Sequence, residues 1–220
     1  RERLSQPGLV TAPGVYDIDS TVLWMQTSRW HADIRIPANR PDFSGVQSLA
    51  DCDAAQLRWL ATQQGFAGVT TVDRRTAETC WLRQVDFQPP AAVPDAGHAR
   101  FENGLLVETG IHADYVEHWH LQPASDDGFA VFRRLDSDAT TLLLTAGDMV
   151  MQVRARRCGF DPAGWGCGEL LRQQLDFEIS CGVRNAAGWH VLHSTLPWRE
   201  ATQVELVLSE CEDGRVQLDI

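Results

Sequence analysis

Apolar and polar residues alternate one by one through much of this chain. The alternation is complete over residues 29–36, where every even position is apolar and every odd position is polar, and it ends at Pro37. Because successive side chains of a β-strand point to opposite faces, this period of two predicts strands with two different faces. We expect the polar face to contact water, and lining a barrel lumen is the alternative. That face consists of Arg29, His31, Asp33 and Arg35.

The same pattern recurs along the rest of the chain and predicts about a dozen strands. They are separated by turn-sized and loop-sized breaks and do not alternate regularly with helices, which excludes doubly wound and α/β-barrel folds. An all-β, antiparallel fold remains, as barrels or a sandwich. The predicted strands span residues 21–27, 29–36, 68–73, 78–88, 99–108, 114–121, 130–136, 141–146, 149–156, 170–181, 189–196, 203–209 and 215–219.

Residues 48–64 interrupt the strand pattern. Ala54, Leu57 and Leu60 recur there at helical spacing, and Gly65 is a typical residue to end a helix. The segment therefore predicts one short helix. A helix inserted between strands resembles the lid over one mouth of a ligand-binding barrel, and covering a sheet edge or barrel end is the simpler alternative.

The length allows one large domain or two small ones, since the chain has 220 residues. A polar loop at residues 122–128 lies near the middle and is rich in turn-forming residue types. We therefore expect an N-terminal barrel at residues 1–124, capped by the helix at residues 48–64. A C-terminal β-barrel-like lobe is expected at residues 125–220.

An acidic composition limits the partners of the chain. Its 30 acidic residues outnumber its 19 basic residues, the formal net charge is −11, and every basic residue is arginine. Such a surface repels nucleic acid and anionic membranes. No apolar stretch reaches the roughly 18 residues of a membrane-spanning helix. We expect a soluble protein that neither binds nucleic acid nor inserts into a membrane.

The six cysteines have no C-x-x-C spacing and form no dense disulfide framework. A chain of this size buries a core without disulfides, so we expect reduced thiols and a cytoplasmic protein. The sequence itself does not determine their redox state. Because the sequence begins at Arg1, the question whether a leader was removed before that residue stays open.

The segment around Glu117 contains the residue types of a binding site. On a strand, Tyr115, Glu117 and Trp119 share one face, which places a carboxylate between two aromatic rings. A buried carboxylate needs a cation or hydrogen-bond donors, and Arg83 and Arg35 are available partners. This pattern predicts a polar anchor in a cavity or a general acid, and a structural glutamate–arginine pair is the alternative.

A second segment places Trp81, Arg83, Val85 and Phe87 on one predicted strand face. An arginine between aromatic rings can stack on them or bind an anionic ligand. The eight tryptophans of the chain must line a core or a cavity. We place Trp81 and Trp119 beside a cavity.

His118 and His120 have the H-x-H spacing that cupins use to bind a metal. The carboxylate that should follow them and a second histidine motif are missing from the sequence, so we expect no metal ligands here. The sequence also contains no phosphate-binding loop, nucleophile elbow or dinucleotide fingerprint. We therefore expect no cofactor, and no motif predicts an enzyme.

Several short motifs occur in a recognisable order. They are Trp24-x-Gln26, Asp33-x-Arg35-x-Pro37, Trp81-x-Arg83-x-x-Asp86, Glu108-x-Gly110 and Tyr115-x-Glu117-x-Trp119. Their order resembles the family named for a fungal casein-kinase-interacting protein, which has bacterial relatives. The resemblance covers mainly residues 20–125 and implies two tandem lipocalin-like, or calycin-type, barrels with no established enzymatic activity. Glu117 and Trp119 match the family's Glu-x-Trp, whereas the long helix and the second half depart from it.

These observations predict a protein that binds a small, partly apolar or amphipathic ligand in an aromatic-lined barrel cavity. A non-catalytic protein–protein interaction module with filled barrels is one alternative, and an isomerase or cyclase that uses the buried Glu117 is another. The identity of the ligand and the oligomeric state, including a homodimer, are not determined by the sequence. The expected ligand-binding residues are Arg35, Trp81, Arg83, Tyr115, Glu117 and Trp119.

Overall fold

The structure, a computed structural model, describes residues 2–5, 9–10, 16–17, 19–89, 91–122, 128–135, 140–159, 161, 168–205, 207–210 and 216–219. Across these residues the fold is antiparallel β-sheet with two short α-helices, which confirms the predicted all-β class. The helices are α1 (Ala54–Leu60) and α2 (Gly168–Leu175). Within the described part of the chain, neither helix is long and apolar enough to cross a membrane.

The first part of the chain forms a closed barrel. Its strands are β1 (Glu2–Ser5), β2 (Leu9–Val10), β3 (Tyr16–Asp17), β4 (Thr21–Gln26), β5 (Trp30–Ile36), β6 (Gln64–Asp73), β7 (Glu78–Asp86), β8 (Ala96–Glu102), β9 (Leu105–Gly110) and β10 (Val116–Leu121). Eight of them close the barrel in the order β1-β10-β9-β8-β7-β6-β5-β4, while β2 and β3 pair with each other. Closure depends on β1, which pairs with β4 on one side and β10 on the other.

The second part of the chain forms an open sheet. Its strands are β11 (Phe129–Leu135), β12 (Thr140–Ala146), β13 (Met149–Arg154), β14 (Glu178–Asn185), β15 (Gly188–Ser194), β16 (Gln203–Val204), β17 (Val207–Glu210) and β18 (Val216–Asp219). The first six follow one another in the sheet, and β17 pairs with β18. Within the described residues the six-stranded sheet has β11 and β16 as its edges, so the predicted second lipocalin-like barrel is not confirmed.

The first helix is shorter than the predicted 48–64. A 3-10 turn occupies Leu49–Asp51, and α1 begins only after Asp53, whose side chain forms a capping box with Gln56. Gly65, the residue expected to end the helix, lies instead in β6, which passes close to β5. A Cβ on Gly65 would lie 2.6 Å from the carbonyl oxygen of Asp33, so only glycine fits at that position.

Other predicted strands were wrong in their extent. Residues 99–108 are two strands, because Asn103 and Gly104 both have positive φ, 50° and 82°, and form the two-residue hairpin turn that Asn-Gly favours. Residues 170–181 begin as α2 rather than as strand. Leu171 and Leu175 are buried on that helix at a spacing of four, which is the helical signal that the strand prediction missed.

The two faces of β5 lie opposite to the expected arrangement. The apolar face does not fill the barrel but packs outward, against the second sheet. The polar face lines the lumen within β5, where His31 and Asp33 are completely buried, so the expectation that these residues contact water was wrong. Arg29, just before the strand, is exposed as expected. The core shared by the barrel and the sheet includes Leu23, Met25, Ala32, Ile34, Leu57, Leu60, Leu142, Leu144, Met151, Leu175 and Ile179.

The shared core bears on the domain division. It draws buried side chains from both sides of the predicted boundary at residues 124 and 125, so the barrel and the sheet have an apolar core in common. The predicted boundary lies within residues 123–127, which are outside the described residues, so the domain division stays a prediction. The barrel strands end at Leu121 and the sheet begins at Phe129.

Candidate functional site

A single cavity collects the six residues that the sequence selects for ligand binding. The cavity has a volume of about 190 Å³ and lies in the lumen of the barrel. The six side chains come from β5, from β7, and from β10 with the residue just before it, which the barrel brings together. Their role in ligand binding stays a prediction. The residues are Arg35, Trp81, Arg83, Tyr115, Glu117 and Trp119.

Other lining residues were missed by the sequence reasoning. Glu108 faces Glu117 directly in the pairing of β9 with β10, and Trp24 faces Asp33 in the pairing of β4 with β5. Both residues could have been selected only from the pairing of strands, because two residues opposite each other point to the same side of a sheet. The missed lining residues are Trp24, Gln64, Phe66, Asp95 and Glu108.

Aromatic rings form the apolar part of the cavity around Trp24. Its ring centroid lies 6.0 Å from that of Trp81, 5.9 Å from that of Trp119 and 5.8 Å from that of Phe66. All three pairs are tilted by 64–81°, the edge-to-face arrangement that aromatic quadrupoles favour. The cavity therefore has walls of indole rather than of aliphatic side chains.

Arg35 joins two buried carboxylates inside the barrel. Its Nε donates to Asp33 Oδ1 at 3.0 Å, and another guanidinium nitrogen donates to Glu117 Oε1 at 2.7 Å. The Asp33 side chain is fully buried and that of Glu117 is 9% exposed. Burial opposes the charge on Arg35, but Asp33 and Glu117 outweigh burial and raise its pKa. The predicted glutamate–arginine pair is therefore present, with Asp33 as a third member.

Burial also raises the pKa of Asp33 to about 6, although Arg35 opposes the shift. The carboxyl group most affected is Glu108, which accepts a hydrogen bond of 2.8 Å from the hydroxyl of Tyr115. Burial, with repulsion from Glu117, raises the pKa of Glu108 to about 8. Glu108 is thus mainly protonated at neutral pH.

Arg83 lines the cavity, and its side-chain hydrogen bonds go to acidic residues. It donates to Asp95 at 2.6 Å and 3.0 Å and to Asp86 at 3.0 Å, while its guanidinium stacks 3.6 Å from the Phe66 ring centroid. The predicted common face of β7 holds only for Trp81 and Arg83.

The other two members of that predicted face, Val85 and Phe87, belong to the outer core. A register shift between Ala67 and Gly68 of β6 leaves Gln84 of β7 without a partner residue. The extra residue is a β-bulge, and it reverses which side the following residues face.

His31 stacks on Trp24 with ring centroids 4.9 Å apart. Thr70 donates its hydroxyl hydrogen to Gln26 Oε1, so the 2.9 Å contact between Thr70 Oγ1 and His31 Nδ1 requires the proton on Nδ1. Burial, together with the charge of Arg83, lowers the pKa of His31 to about 3. This histidine is therefore a neutral part of the barrel interior.

The two histidines of the H-x-H motif, His118 and His120, are exposed on the outside of β10. Cys52, Cys80 and Cys158 are thiols, and Cys167 and Cys211 lie outside the described residues. In the part of the chain that is described, no three His, Cys, Asp or Glu side chains are grouped to hold a metal ion.

Comparison with known proteins shows a likeness in fold. No family model matches the chain, and no curated protein sequence matches it. A similar solved structure is the crystal structure of the uncharacterized protein YLR301w from Saccharomyces cerevisiae, with a TM-score of 0.57 and 10% sequence identity. The match covers 88% of this chain and 85% of the yeast chain. The likeness thus extends over both the barrel and the second sheet, and it shows the fold alone.

Changing Glu108 to Gln is expected to alter how stability depends on pH. A carboxyl group whose pKa rises on folding, here from 4.5 to about 8, stabilises the fold below its unfolded pKa and loses that contribution as the pH rises to its folded pKa. Wild type should therefore lose stability relative to Glu108→Gln between about pH 4.5 and 8. Urea unfolding across this pH range measures the difference in the free energy of unfolding between the two proteins. The contribution of Asp33 is common to both and cancels in this difference. A constant difference would contradict the burial of an ionisable Glu108.

Proposed function

We propose that this protein binds a small, partly apolar ligand inside its barrel. The observation that carries the proposal is the cavity of about 190 Å³, whose lining combines three indole rings with arginine–carboxylate pairs. Ligand sites typically have apolar walls and a few convergent polar groups that orient the ligand. The volume is below the ~300–1,000 Å³ of drug-sized pockets, so the ligand is a compact molecule.

The two alternative functions have less support. A barrel that serves only as a scaffold for protein partners fills its lumen with side chains at close-packed density, and this lumen contains a cavity. An enzyme that uses Glu117 as general acid or base needs that carboxylate free to exchange protons. Arg35 already binds both of its oxygens, at 2.7 Å and 3.5 Å, so neither is free to contact a substrate.

The thiols Cys52, Cys80 and Cys158 support a reducing compartment, and we include a cytoplasmic location in the proposal. The acidic net charge of −11 supports a ligand that is neither nucleic acid nor an anionic membrane surface. Sedimentation of the purified protein would establish whether it acts as a monomer or a homodimer.

Tryptophan emission provides a test of ligand binding. Titration with a library of compact amphiphilic and ionic compounds is expected to change the emission of wild type saturably. Trp119→Ala removes a wall of the cavity and should weaken binding at least ~10-fold, since aromatic contacts contribute about 0.5–1.5 kcal/mol beyond their buried area. Trp59→Phe is the matched control, because Trp59 lies on α1 and donates its N–H to Ala38 away from the cavity.

Circular dichroism of both variants shows whether they fold, and Trp81→Ala replaces Trp119→Ala if the latter does not. Equal affinities for wild type, Trp119→Ala and Trp81→Ala would contradict a ligand site in this cavity. A complete lack of binding across the library would do so as well.

A further inference from the structure

The charges around the cavity do not balance. Arg35 and Arg83 are the two cationic side chains in its lining, against the carboxyl groups of Asp95, Glu108 and Glu117. Each arginine is moreover bound to a second carboxylate next to the cavity, Asp33 for Arg35 and Asp86 for Arg83. Five carboxyl groups thus surround two guanidinium groups, and the neutral His31 adds no positive charge.

Both arginines are already occupied. Arg35 donates to Asp33 and Glu117, and Arg83 donates to Asp86 and Asp95. An anionic ligand would have to displace a buried carboxylate from its cation, which leaves that carboxylate unpaired at a large cost. The lining of the cavity therefore favours a positively charged ligand over a negatively charged one.

Of these five carboxyl groups, Glu108 is the one that is not bound to Arg35 or Arg83. The hydrogen bond from the Tyr115 hydroxyl occupies one of its oxygens, and Glu117, the residue opposite it on β10, is held by Arg35. Glu108 also lines the same cavity as the three indole rings. A carboxylate combined with aromatic faces is how proteins hold alkylated ammonium groups, whose weak hydration makes their transfer from water inexpensive.

A second, independent feature also points to a ligand. Trp119 is 2% exposed and lines the cavity, and its indole N–H has no hydrogen-bond partner among the described residues. A buried donor without a partner costs free energy unless a bound molecule supplies an acceptor. An oxygen in the ligand would satisfy this donor.

We propose that the ligand is a small organic cation, an alkylated ammonium compound with an oxygen acceptor, whose charge is neutralised by Glu108. The inference rests on the proposed function, since it names the ligand class of the same cavity. The ammonium group takes the place of the proton on Glu108, and the proton passes to solvent. No covalent bond is made or broken to carbon or nitrogen.

Binding is expected to depend on pH through Glu108. The titratable and charged groups that face it are Glu117, Tyr115, Arg35 and Asp95. Because the pKa of Glu108 in the free protein is about 8, a cation that needs the carboxylate binds more weakly as the pH falls below that value. The affinity should fall by up to ~10-fold per pH unit between pH 8 and 6, and binding at pH 7 should release close to one proton.

Three compounds of one shape and different charge test the ligand class by calorimetry on wild-type protein at pH 8.5. Choline is the cation, 3,3-dimethyl-1-butanol is its neutral isostere, and 3,3-dimethylbutanoate is an anion of similar shape. We expect choline to bind at least ~10-fold more tightly than the alcohol, and the anion to bind most weakly. Repeating the choline titration at pH 7 in two buffers of different ionisation enthalpy measures the released proton.

Two variants test whether Glu108 causes the preference for choline and the release of the proton. Glu108→Gln should lose both the preference for choline and the released proton, whereas Glu102→Gln should keep both, because the Glu102 side chain is 51% exposed on the outside of the barrel. Equal or tighter binding of the alcohol or the anion to wild type would overturn the cation inference and leave the proposed function standing. Failure of all three compounds and of the wider library to bind would overturn both.

Discussion

Replacing Arg35 with Met is expected to lower the free energy of unfolding by about 3–5 kcal/mol, as removal of one partner from a buried ion pair does. The change leaves two carboxylates inside the barrel without their cation, because Asp33 is fully buried and Glu117 is 9% exposed. Methionine retains much of the arginine stem's volume, so the loss reflects charge rather than packing. Urea unfolding at pH 7 and pH 5 measures it. The deficit should shrink at pH 5, because the pKa of Asp33 is about 6 even beside Arg35, so that without Arg35 this carboxyl group binds a proton.

The matched control is Arg100→Met. Arg100 pairs with Glu102 on the barrel surface, where the two side chains are 60% and 51% exposed, and such pairs contribute about 0–1 kcal/mol. A second variant, with Asp33→Asn, Arg35→Met and Glu117→Gln combined, should recover most of the lost stability because no uncompensated charge remains. A deficit of Arg35→Met no larger than that of Arg100→Met would contradict the buried network.

Truncating Ile179 to Ala is expected to cost about 2–5 kcal/mol, the range for deleting a buried large aliphatic side chain. Ile179 on β14 is fully buried, and its Cδ1 would lie 2.6 Å from a Cβ on Gly65 of the barrel strand β6. The residue therefore fills the contact between the barrel and the second sheet. Because that core is shared, tryptophan emission and far-ultraviolet circular dichroism should report one common unfolding transition in urea.

Leu192→Ala serves as the control for Ile179→Ala. Leu192 lies in the same sheet but is 43% exposed, so its truncation should change stability by less than about 1 kcal/mol. Two separate transitions, with the barrel unaffected by Ile179→Ala, would show that the two parts are held by independent cores.

The site could be predicted where one strand contains enough information by itself. Tyr115, Glu117 and Trp119 have the same parity on one short segment, and all three line the cavity. Arg35 could be named as a partner of Glu117 because a buried carboxylate needs a cation, and the two are bonded. Glu108 could not be selected in this way, because its importance comes from lying opposite Glu117 on another strand.

The orientation of β5 shows a limit of periodicity. Alternation establishes that two faces differ in polarity but does not say what each face meets. Ala32 and Ile34 point out of the barrel because a sheet formed by residues beyond position 128 covers them there. A contact with residues so distant in the chain cannot be predicted from the sequence of β5. The usual expectation that a polar face contacts water was therefore wrong for Asp33.

Register is the second limit. Val85 has the same parity as Arg83, yet the bulge at Gln84 places it on the opposite face of the barrel wall. A bulge is a property of two paired strands rather than of one sequence segment. The turn at Asn103 and Gly104, in contrast, has a local signal in the sequence, because Asn-Gly favours a two-residue hairpin turn.

A ligand that occupies the barrel lumen should be detected by the indole N–H resonances of the tryptophans that line it. In ¹H–¹⁵N spectra recorded during titration with compact ligands, the signals of Trp24, Trp81 and Trp119 should move together and saturate. The signal of Trp189 should stay unchanged, because this residue is fully buried in a separate cluster of the second sheet. Unmoved signals from the three lumen tryptophans, or an equal shift at Trp189, would contradict binding of the ligand in the lumen.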